Sequence, residues 1–397
     1  MRRAWAHRRS ALHVSGVAVI GLCVLVSCRG IAGIDDFTYV SEIADAARDG
    51  AASDANVVDD SAADSGACSV KPTVVYSTTD TLYGVFLQGG RLFFETFSSA
   101  NNSTSLAACD PSSCVAITPF ILADPVLWTE DITSKHIYWT DVGDKVDGGA
   151  AKNGGLYSIA WPGDAGPKTA VNSALNFPNY LRENADESHV FFTDDPNNDF
   201  TNLPGPATLL KCTLPTCASP VLWGNGFFTT YSLVMGVSRV FFMASSDLAG
   251  SKKALFACSQ TAPCDMPPKK LLEGQALNKE AFAESNDTVF ITSADQNAIQ
   301  QIAPGGAITT FAANQTTPVA LGIDAGWVYW FAITLPQGKG SYIAELRRKK
   351  LDGSGSVETI LCGLNTPDQI HFDADHVYVT EAGASGGTKI ERIPKPK

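Results

Sequence analysis

A short motif recurs along this chain at a nearly constant spacing, and it constrains the fold more than any other feature. Each copy is an apolar residue, an aromatic residue and a further large residue. The copies are Leu92-Phe93-Phe94, Ile137-Tyr138-Trp139, Val190-Phe191-Phe192, Val240-Phe241-Phe242, Val289-Phe290-Ile291, Val328-Tyr329-Trp330 and Val377-Tyr378-Val379. Their central residues run from position 93 to position 378, a mean of 47.5 residues over six intervals. Propeller blades have this length.

The surroundings of the motif repeat as well. A shorter strand-like segment and a turn containing Gly, Asp or Asn precede it, as in LYGVFLQGGRLFF. Such turns between β-branched and aromatic runs are hairpin signals. A polar loop and two more strand-like segments follow. Each repeat therefore predicts one blade of four antiparallel strands.

The two ends of the repeat region predict how the ring closes. The seventh repeat stops after its third strand at Ile393, while an unassigned strand, Thr73 to Ser77, precedes the first repeat. Because a closed ring leaves only short protected edges, we expect this strand to complete the last blade. The prediction is an all-β, seven-bladed β-propeller, with six or eight blades as the alternatives.

The aromatic motif itself is interpreted as structural. A second strand packed between two neighbouring blades has both faces covered, so a continuous apolar run is expected there. Tyr138 and Trp139 are therefore predicted to be core residues. One slot, two residues before the central aromatic, holds in different repeats His136, His189, His376, Arg91, Arg239 and Thr288. This exchange favours a structural role beside the turn for the three histidines.

Two copies continue into a recognisable tetrad. Tyr138-Trp139-Thr140-Asp141 matches the signature of YWTD-repeat propellers, and Phe191-Phe192-Thr193-Asp194 is a near copy. The chain resembles bacterial lipoproteins with YWTD-like or TolB-like repeat propellers, and the resemblance implies a propeller without an assigned activity. Five repeats depart at the Thr or the Asp, and receptor propellers of the YWTD type have six blades. Receptor function is therefore not carried over.

The N-terminus predicts export and a lipid anchor. Residues 1–27 contain four arginines ahead of an apolar run and no acidic residue, which is the layout of a secretory signal peptide. Leu25-Val26-Ser27-Cys28 resembles the bacterial lipobox, which implies cleavage before Cys28 and acylation of its thiol. Arg29 in the second mature position favours the outer membrane, on an undetermined side. The alternative is an ordinary signal peptide whose Cys28 joins a disulfide.

Residues 28–67 are predicted to be a disordered acidic tether, because positions 41–67 are dominated by Ala, Asp and Ser and contain no aromatic residue. The propeller domain then spans 68–397. The chain from Cys28 onward has 25 basic and 41 acidic residues, a formal charge of −16. Nucleic acid is an improbable partner, because phosphate binding needs a basic stripe and none is visible. We expect a monomer.

Six cysteines form local pairs at the turn between third and fourth strands. The pairs are Cys109 with Cys114, Cys212 with Cys217, and Cys258 with Cys264. A hairpin brings such residues within disulfide distance, and an extracytoplasmic compartment permits oxidation. Zinc is the competing interpretation, but pairs on different blades lie too far apart to converge on one ion.

Cys68 and Cys362 remain, and elimination pairs them. The predicted topology argues against this pair, because Cys362 is expected where the chain enters the last blade and Cys68 near the opposite face. A lead of five residues reaches at most roughly 17 Å. The pairing stays open.

One loop has residues that suit a metal ion. Its oxygen-bearing residues, close together in sequence, suit Ca²⁺, which takes six to eight oxygen ligands. They are Asp194, Asp195, Asn197 and Asp199. Asp and Asn are also common in ordinary turns, so a plain turn is the alternative. No other cofactor is predicted.

Ligand contacts are expected at the mouth of the central channel, on the face that carries the longest insertions. Prolines recur where first strands begin and place polar residues near that mouth. The predicted contacts are Asp124, Asn179, Tyr180, Asp368 and Gln369. Capping of loops by these polar groups is the alternative interpretation.

No convergent set of acid, base and nucleophile is visible in the sequence. The leading hypothesis is a lipid-anchored, non-catalytic binding or protein-interaction scaffold of the cell envelope, with an envelope protein, a small molecule or a glycan as partner. The alternative is a propeller lyase or hydrolase with its active site at the channel mouth, since fold alone does not exclude activity. His371, inside a first strand, is the only histidine outside the repeated slot that the enzyme hypothesis can use.

Overall fold

The structure, a computed structural model, describes residues 70–98, 100, 103–124, 127–141, 154–161, 168–195, 206–250, 252–274, 282–338, 341–382 and 387–396. The signal peptide, Cys28, the tether and Cys68 lie outside these residues. The described elements are β-strands joined by turns. Among the described residues, no helix has the length and apolar character needed to cross a membrane.

The first strand and the first two blades follow each other along the chain. The strands are β1 (Thr73–Thr78); in blade 1, β2 (Thr81–Gln88), β3 (Arg91–Ser98), β4 (Ser103–Cys109) and β5 (Thr118–Asp124); and in blade 2, β6 (Leu127–Ile132), β7 (His136–Asp141), β8 (Gly154–Ala160) and β9 (Thr169–Leu175). Within each blade consecutive strands pair antiparallel. The four-strand repeat predicted from sequence is confirmed.

Blades 3 and 4 share a strand and form one seven-stranded sheet. Its strands are β10 (Pro178–Glu183), β11 (His189–Asp194), β12 (Pro206–Thr213), β13 (Val221–Met235), β14 (Arg239–Ser245), β15 (Lys253–Ser259) and β16 (Lys269–Gly274). The first part of β13 pairs with β12 as the fourth strand of blade 3. Its second part pairs with β14 as the first strand of blade 4.

The last three blades complete the ring. Their strands are, in blade 5, β17 (Phe282–Ser285), β18 (Thr288–Ser293), β19 (Ala298–Ile302) and β20 (Ile308–Ala312); in blade 6, β21 (Pro318–Asp324), β22 (Trp327–Gly338), β23 (Ser341–Lys350) and β24 (Glu358–Asn365); and in blade 7, β25 (Pro367–Phe372), β26 (His376–Ala382) and β27 (Thr388–Pro394). The predicted seven-bladed propeller is confirmed.

The N-terminal strand closes the ring as predicted. Strand β1 pairs antiparallel with β27, so blade 7 has the order β1-β27-β26-β25. A second contact reinforces this joint at its inner edge, where the Gln369 amide nitrogen donates to the Tyr83 carbonyl oxygen at 2.6 Å. The Gln369 amide oxygen accepts from the Val85 backbone N–H at 3.0 Å. Blade 7 is thus bound to both ends of the repeat region.

The core is divided among the joints between blades. Seven clusters of buried side chains each combine residues of two neighbouring blades, and together they occupy all seven joints. The second strand of a blade packs side chains into the joints on both of its faces. Phe241 packs into the joint between blades 4 and 5, while Val240 and Phe242 pack into the joint between blades 3 and 4. Tyr138 and Trp139 are 2% and 1% exposed, which confirms them as core residues.

Three disulfides join the predicted cysteine pairs. Cys109–Cys114, Cys212–Cys217 and Cys258–Cys264 have Cα–Cα distances of 5.0, 5.0 and 5.1 Å. Each closes the turn between the third and fourth strands of its blade. Because these loops are short, each bond constrains the unfolded chain by only about 2 kcal/mol.

Cys362 is also disulfide-bonded. It lies inside β24 and not beyond it, which corrects the position expected from the sequence. Val70 packs against the cluster between blades 6 and 7. The chain two residues after Cys68 therefore passes along the blade that holds Cys362, and the topological objection to that pair is removed. The pairing itself remains a prediction, since Cys68 lies outside the described residues.

We expect a Cys362→Ser variant to lose about 4 to 5 kcal/mol of unfolding free energy, because a bond to Cys68 would close a loop of nearly the whole domain. Urea unfolding of the oxidised protein measures this loss. The matched variant Cys212→Ser opens only a short loop and should lose about 2 kcal/mol. Non-reducing peptide mapping that linked Cys362 to a cysteine other than Cys68 would contradict the prediction.

Candidate functional site

The Thr and Asp of the repeated tetrad have structural partners. In blade 3 the Thr193 hydroxyl donates to the Asn179 carbonyl oxygen at 3.0 Å, and the Asp194 carboxylate accepts from the Phe177 backbone N–H at 2.7 Å. In blade 7 the Glu381 carboxylate accepts from the Asn365 backbone N–H at 2.9 Å. The acidic residue thus fastens the connection arriving from the preceding blade, because a buried N–H left unpaired is costly.

The predicted calcium residues are only partly described. Asp194 makes the bond to Phe177, and Asp195, 1% exposed, accepts from the Thr229 hydroxyl at 3.4 Å. Asn197 and Asp199 lie outside the described residues. Within the described ranges, no three His, Cys, Asp or Glu side chains are grouped so as to hold a metal ion. A calcium site in this loop stays a prediction.

Four of the five predicted ligand residues lie near the starts of the first strands of blades 3 and 7. Asn179 is 5% exposed, and its amide oxygen accepts from the Tyr180 backbone N–H at 2.9 Å. Tyr180 sits at a β-bulge with φ of 37° and packs against the cluster between blades 3 and 4. Asp368 is exposed. Asp124 ends β5, and its side chain is outside the described part. Gln369 is held by blade 1.

A different set of residues surrounds the axis. The first strands of successive blades are neighbours at six of the seven joints, so these strands form the inner ring. In each of them one residue pairs with the central aromatic of the second strand. These seven ring positions are Phe86, Asp131, Arg182, Val234, Ala283, Gly322 and His371. All except Gly322 are partly exposed. We call them the axial ring.

Three members of the axial ring are polar, and their charges act on one another. Burial, together with the guanidinium charge of Arg182, lowers the pKa of His371 to about 4. Blades 3 and 7 share no joint, so Arg182 acts on His371 across the axis. The ring of His371 also packs beside Phe86, with 6.2 Å between ring centroids. His371 is therefore a neutral imidazole at pH 7.

Asp131 is the acidic member of the axial ring. Its carboxylate accepts from the Glu183 backbone N–H at 2.7 Å, which fixes it across the joint between blades 2 and 3. Burial raises the pKa of Asp131, and the positive charge of Arg182 opposes that rise. Blades 2, 3 and 7 thus bring an acid, a guanidinium and a neutral imidazole to the same height around the axis.

Glu183 is an uncompensated acid behind the axial ring. It is 9% exposed, and neither of its buried carboxylate oxygens has a hydrogen-bond partner. Burial raises the pKa of Glu183 to about 8, and the charges of Asp131 and Glu187 add to the rise. The side chain is therefore mostly protonated at pH 7 and adds little charge beside Asp131.

Blade 7 contains a second group of buried charges. The Lys389 ammonium lies 2.7 Å from a Glu391 carboxylate oxygen and 3.3 Å from one of Glu381. Burial, and then a hydrogen bond with Glu391, raises the pKa of Glu381. One lysine therefore serves two carboxylates at the joint with blade 6. Because Glu381 also fastens the backbone of Asn365, we interpret this group as structural.

Sequence reasoning missed Asp131 and Arg182 because they stand alone among residues of other types. A signal was nevertheless present. In six repeats the axial-ring residue lies seven positions before the central aromatic, as His371 does before Tyr378; in blade 3 the turn is longer and the offset is nine, from Arg182 to Phe191. The residues at this one position, compared across all seven repeats, are the axial ring.

Comparison with known proteins identifies the fold alone. No protein-family model matches the chain, and no curated protein matches it. Among solved structures, virginiamycin B lyase from Staphylococcus aureus is similar over 82% of this chain and 99% of its own, with 13% identity and a TM-score of 0.54. A streptogramin B lyase is similar over 82% and 96%, with 14% identity and a TM-score of 0.50.

A prolyl endopeptidase is also similar, with 12% identity and a TM-score of 0.55 over 82% of this chain. The chain spans about half of that protein's length, since the match covers 51% of it. These structural neighbours are propeller-like proteins. At such identities the likeness concerns architecture and not activity.

We expect Glu183 to make stability fall as pH rises. A carboxyl whose pKa is raised in the folded state keeps its proton there while the unfolded chain loses it, so stability falls between about pH 4.5 and pH 8. We expect the unfolding free energy of a Glu183→Gln variant to rise by about 2 kcal/mol relative to wild type between pH 5 and pH 9. The upper limit is about 1.4 kcal/mol for each unit by which the pKa of Glu183 is raised. Urea unfolding at both pH values measures the difference.

Glu273→Gln is the matched control. A hydrogen bond from Lys270 lowers the pKa of Glu273, so this carboxylate is ionised across the whole window, and its charge is not among those that act on Glu183. The stability difference between Glu273→Gln and wild type should therefore be the same at pH 5 and pH 9. An equal pH response of the two variants would show that Glu183 is not the titrating group.

Proposed function

We propose that this protein is a lipid-anchored propeller of the cell envelope that binds a small polar ligand at its axis without transforming it. The axial ring carries the proposal, because three polar side chains of separate blades, Asp131, Arg182 and His371, occupy equivalent positions on the inner strands while remaining partly exposed. Ligand sites typically combine apolar walls with a few placed polar groups. The four remaining ring positions are apolar or Gly.

The composition of the ring favours binding over catalysis. None of its seven described positions is Ser, Cys, Thr or Lys, so the ring offers no side chain for acyl transfer or Schiff-base chemistry. Arg182 and Asp131 recognise charge, and a neutral imidazole accepts or donates one hydrogen bond. The proposed anchor follows from the leader and from Cys28, and the tether would hold the propeller away from the membrane.

Replacement of Arg182 should abolish retention of the ligand. We expect wild-type protein, isolated from envelope membranes without denaturation, to show by native mass spectrometry a bound small molecule that an Arg182→Gln variant lacks. Arg239→Gln is the matched control, because this partly exposed arginine is not a member of the axial ring and donates to the Pro304 carbonyl oxygen. Equal occupancy in all three proteins, or none in any, would contradict the proposed site.

The anchor is tested separately. Metabolic labelling with a palmitate analogue should label the wild-type protein, and a Cys28→Ala variant should lose the label and leave the membrane fraction. Each buried CH₂ contributes about 0.8 kcal/mol to membrane binding, so loss of the acyl chains releases the protein. A labelled Cys28→Ala variant would place the lipid elsewhere.

A second candidate function, a lyase, is favoured by the state of His371. An imidazole that stays neutral at pH 7 can accept a proton from a substrate carbon, and the low pKa comes from burial and from Arg182. Two structures similar in fold are named as lyases. Under this function, His371→Asn would abolish turnover of the retained molecule while its binding persisted. Unchanged recovery of an intact ligand from the wild-type protein favours binding alone.

A further inference from the structure

We infer that the axial ligand is a zwitterion with an apolar side chain, of the class of α-amino acids and short peptides. This inference rests on the proposed function and names its ligand class. It follows from how charge and apolar surface are distributed around the axial ring, one blade after another.

An acid and a guanidinium stand side by side in the axial ring. Asp131 in blade 2 and Arg182 in blade 3 pair with Tyr138 and Phe191, the central aromatics of their blades, so they occupy equivalent positions on neighbouring inner strands. Burial raises the pKa of Asp131, and the positive charge of Arg182 opposes that rise. The inner ring thus presents an acid and a base with a fixed direction, from blade 2 to blade 3.

Ligands with a single charge fit this pair less well. A ligand with only an anionic group would gain from Arg182 but would be repelled by Asp131. A cationic ligand would be attracted by Asp131 and repelled by Arg182. A zwitterion places its carboxylate toward Arg182 and its ammonium toward Asp131, so both contacts are favourable. Glu183, mostly protonated, adds little competing negative charge behind Asp131.

The four remaining positions of the axial ring carry no polar side chain. Val234 in blade 4 and Phe86 in blade 1 lie beside the acid–guanidinium pair of blades 2 and 3. Ala283 in blade 5 and Gly322 in blade 6 lie across the axis from that pair and form an apolar sector of small residues. Gly322 is small for a separate reason, since a Cβ there would lie 2.6 Å from the ring of Phe372. A ligand bound by its charges in blades 2 and 3 would place an apolar substituent in this sector.

The third polar member of the axial ring suits the same ligand. His371 is neutral, and its Nε2 lies 3.2 Å from the Gln369 amide oxygen. A neutral imidazole adds a hydrogen bond without a third charge, so the ring stays balanced when one positive and one negative group enter. A ligand with two negative charges would leave one of them without a partner at the axis.

The experiment compares three matched probes by isothermal titration calorimetry with the full-length mature protein. L-leucine carries both charges, 4-methylpentanoate lacks the ammonium group and 3-methylbutylamine lacks the carboxylate. We expect leucine to bind at least about tenfold more tightly than either half-probe, since each half loses one charge contact. Arg182→Gln and Asp131→Asn should each weaken leucine binding at least about tenfold, and Arg239→Gln should leave it unchanged.

The apolar sector is tested with a size variant. Ala283→Leu should weaken the binding of leucine more than the binding of glycine, because only leucine places a side chain in that sector. Thermal unfolding of each variant establishes that it is folded before the titration. For a variant that does not fold, Arg182→Lys and Asp131→Glu keep the charge and alter only the reach, and each should retain part of the leucine affinity.

Failure of this inference differs from failure of the proposed site. If 4-methylpentanoate binds as tightly as leucine and Arg182→Gln abolishes both, the axial site exists and its ligand is a simple anion. If no probe binds while envelope-isolated protein still holds an Arg182-dependent molecule, the ligand belongs to another class. Probe binding that ignores Arg182 and Asp131 overturns both the inference and the site.

Discussion

Each blade of this protein has two apolar faces, and only the neighbouring blades can cover them. The second strands show this dependence directly, because alternate residues of one triplet enter the cores on either side. At roughly 25 cal/mol per Å² of buried apolar surface, an uncovered blade would lose most of its stabilisation. The stability of each blade therefore depends on closure of the ring, and the pairing of β1 with β27 closes it. The Gln369 contacts with blade 1 repeat that closure at the inner edge.

The sequence was a good guide wherever structure repeats. The triplets, the turns and the missing fourth strand predicted seven blades and their closure, since burial on both faces demands the same residue types in every copy. The disulfides between cysteines close in sequence were also predictable, because a hairpin turn alone brings Cys212 and Cys217 together. The aromatic residues of the motif were also predicted correctly as core residues. The hydrogen bonds of the following Thr and Asp appear only in three dimensions.

The candidate site was far less predictable. Residues were expected at the channel mouth, and two of them, Asn179 and Gln369, are engaged with the protein's own backbone. Asp131, Arg182 and His371 lie 51 to 240 residues apart in sequence, and no local pattern links them. Only ring closure brings them to one height. At the axial-ring position, Asp131 and Arg182 differ from the residues of all other repeats. A comparison of what the repeats have in common therefore does not find them.

Burial of charge separates the structural groups from the axial ones. Glu381, Glu391 and Lys389 are packed into a joint and satisfy one another, so their electrostatic cost is met inside the fold. The axial groups are different, since Asp131 and Arg182 stay partly exposed on the innermost strands. Glu183 stands between these cases, being buried and without a partner. Its proton keeps the space behind Asp131 close to neutral.

The shared strand β13 distinguishes one joint from the other six. Blades 3 and 4 continue through its 15 residues without a connecting loop, and its backbone pairs with both sheets. Because one continuous backbone is hydrogen-bonded in both sheets, blade 3 cannot move away from blade 4 without breaking main-chain pairing on one side. This joint is therefore held by a shared strand as well as by a shared core.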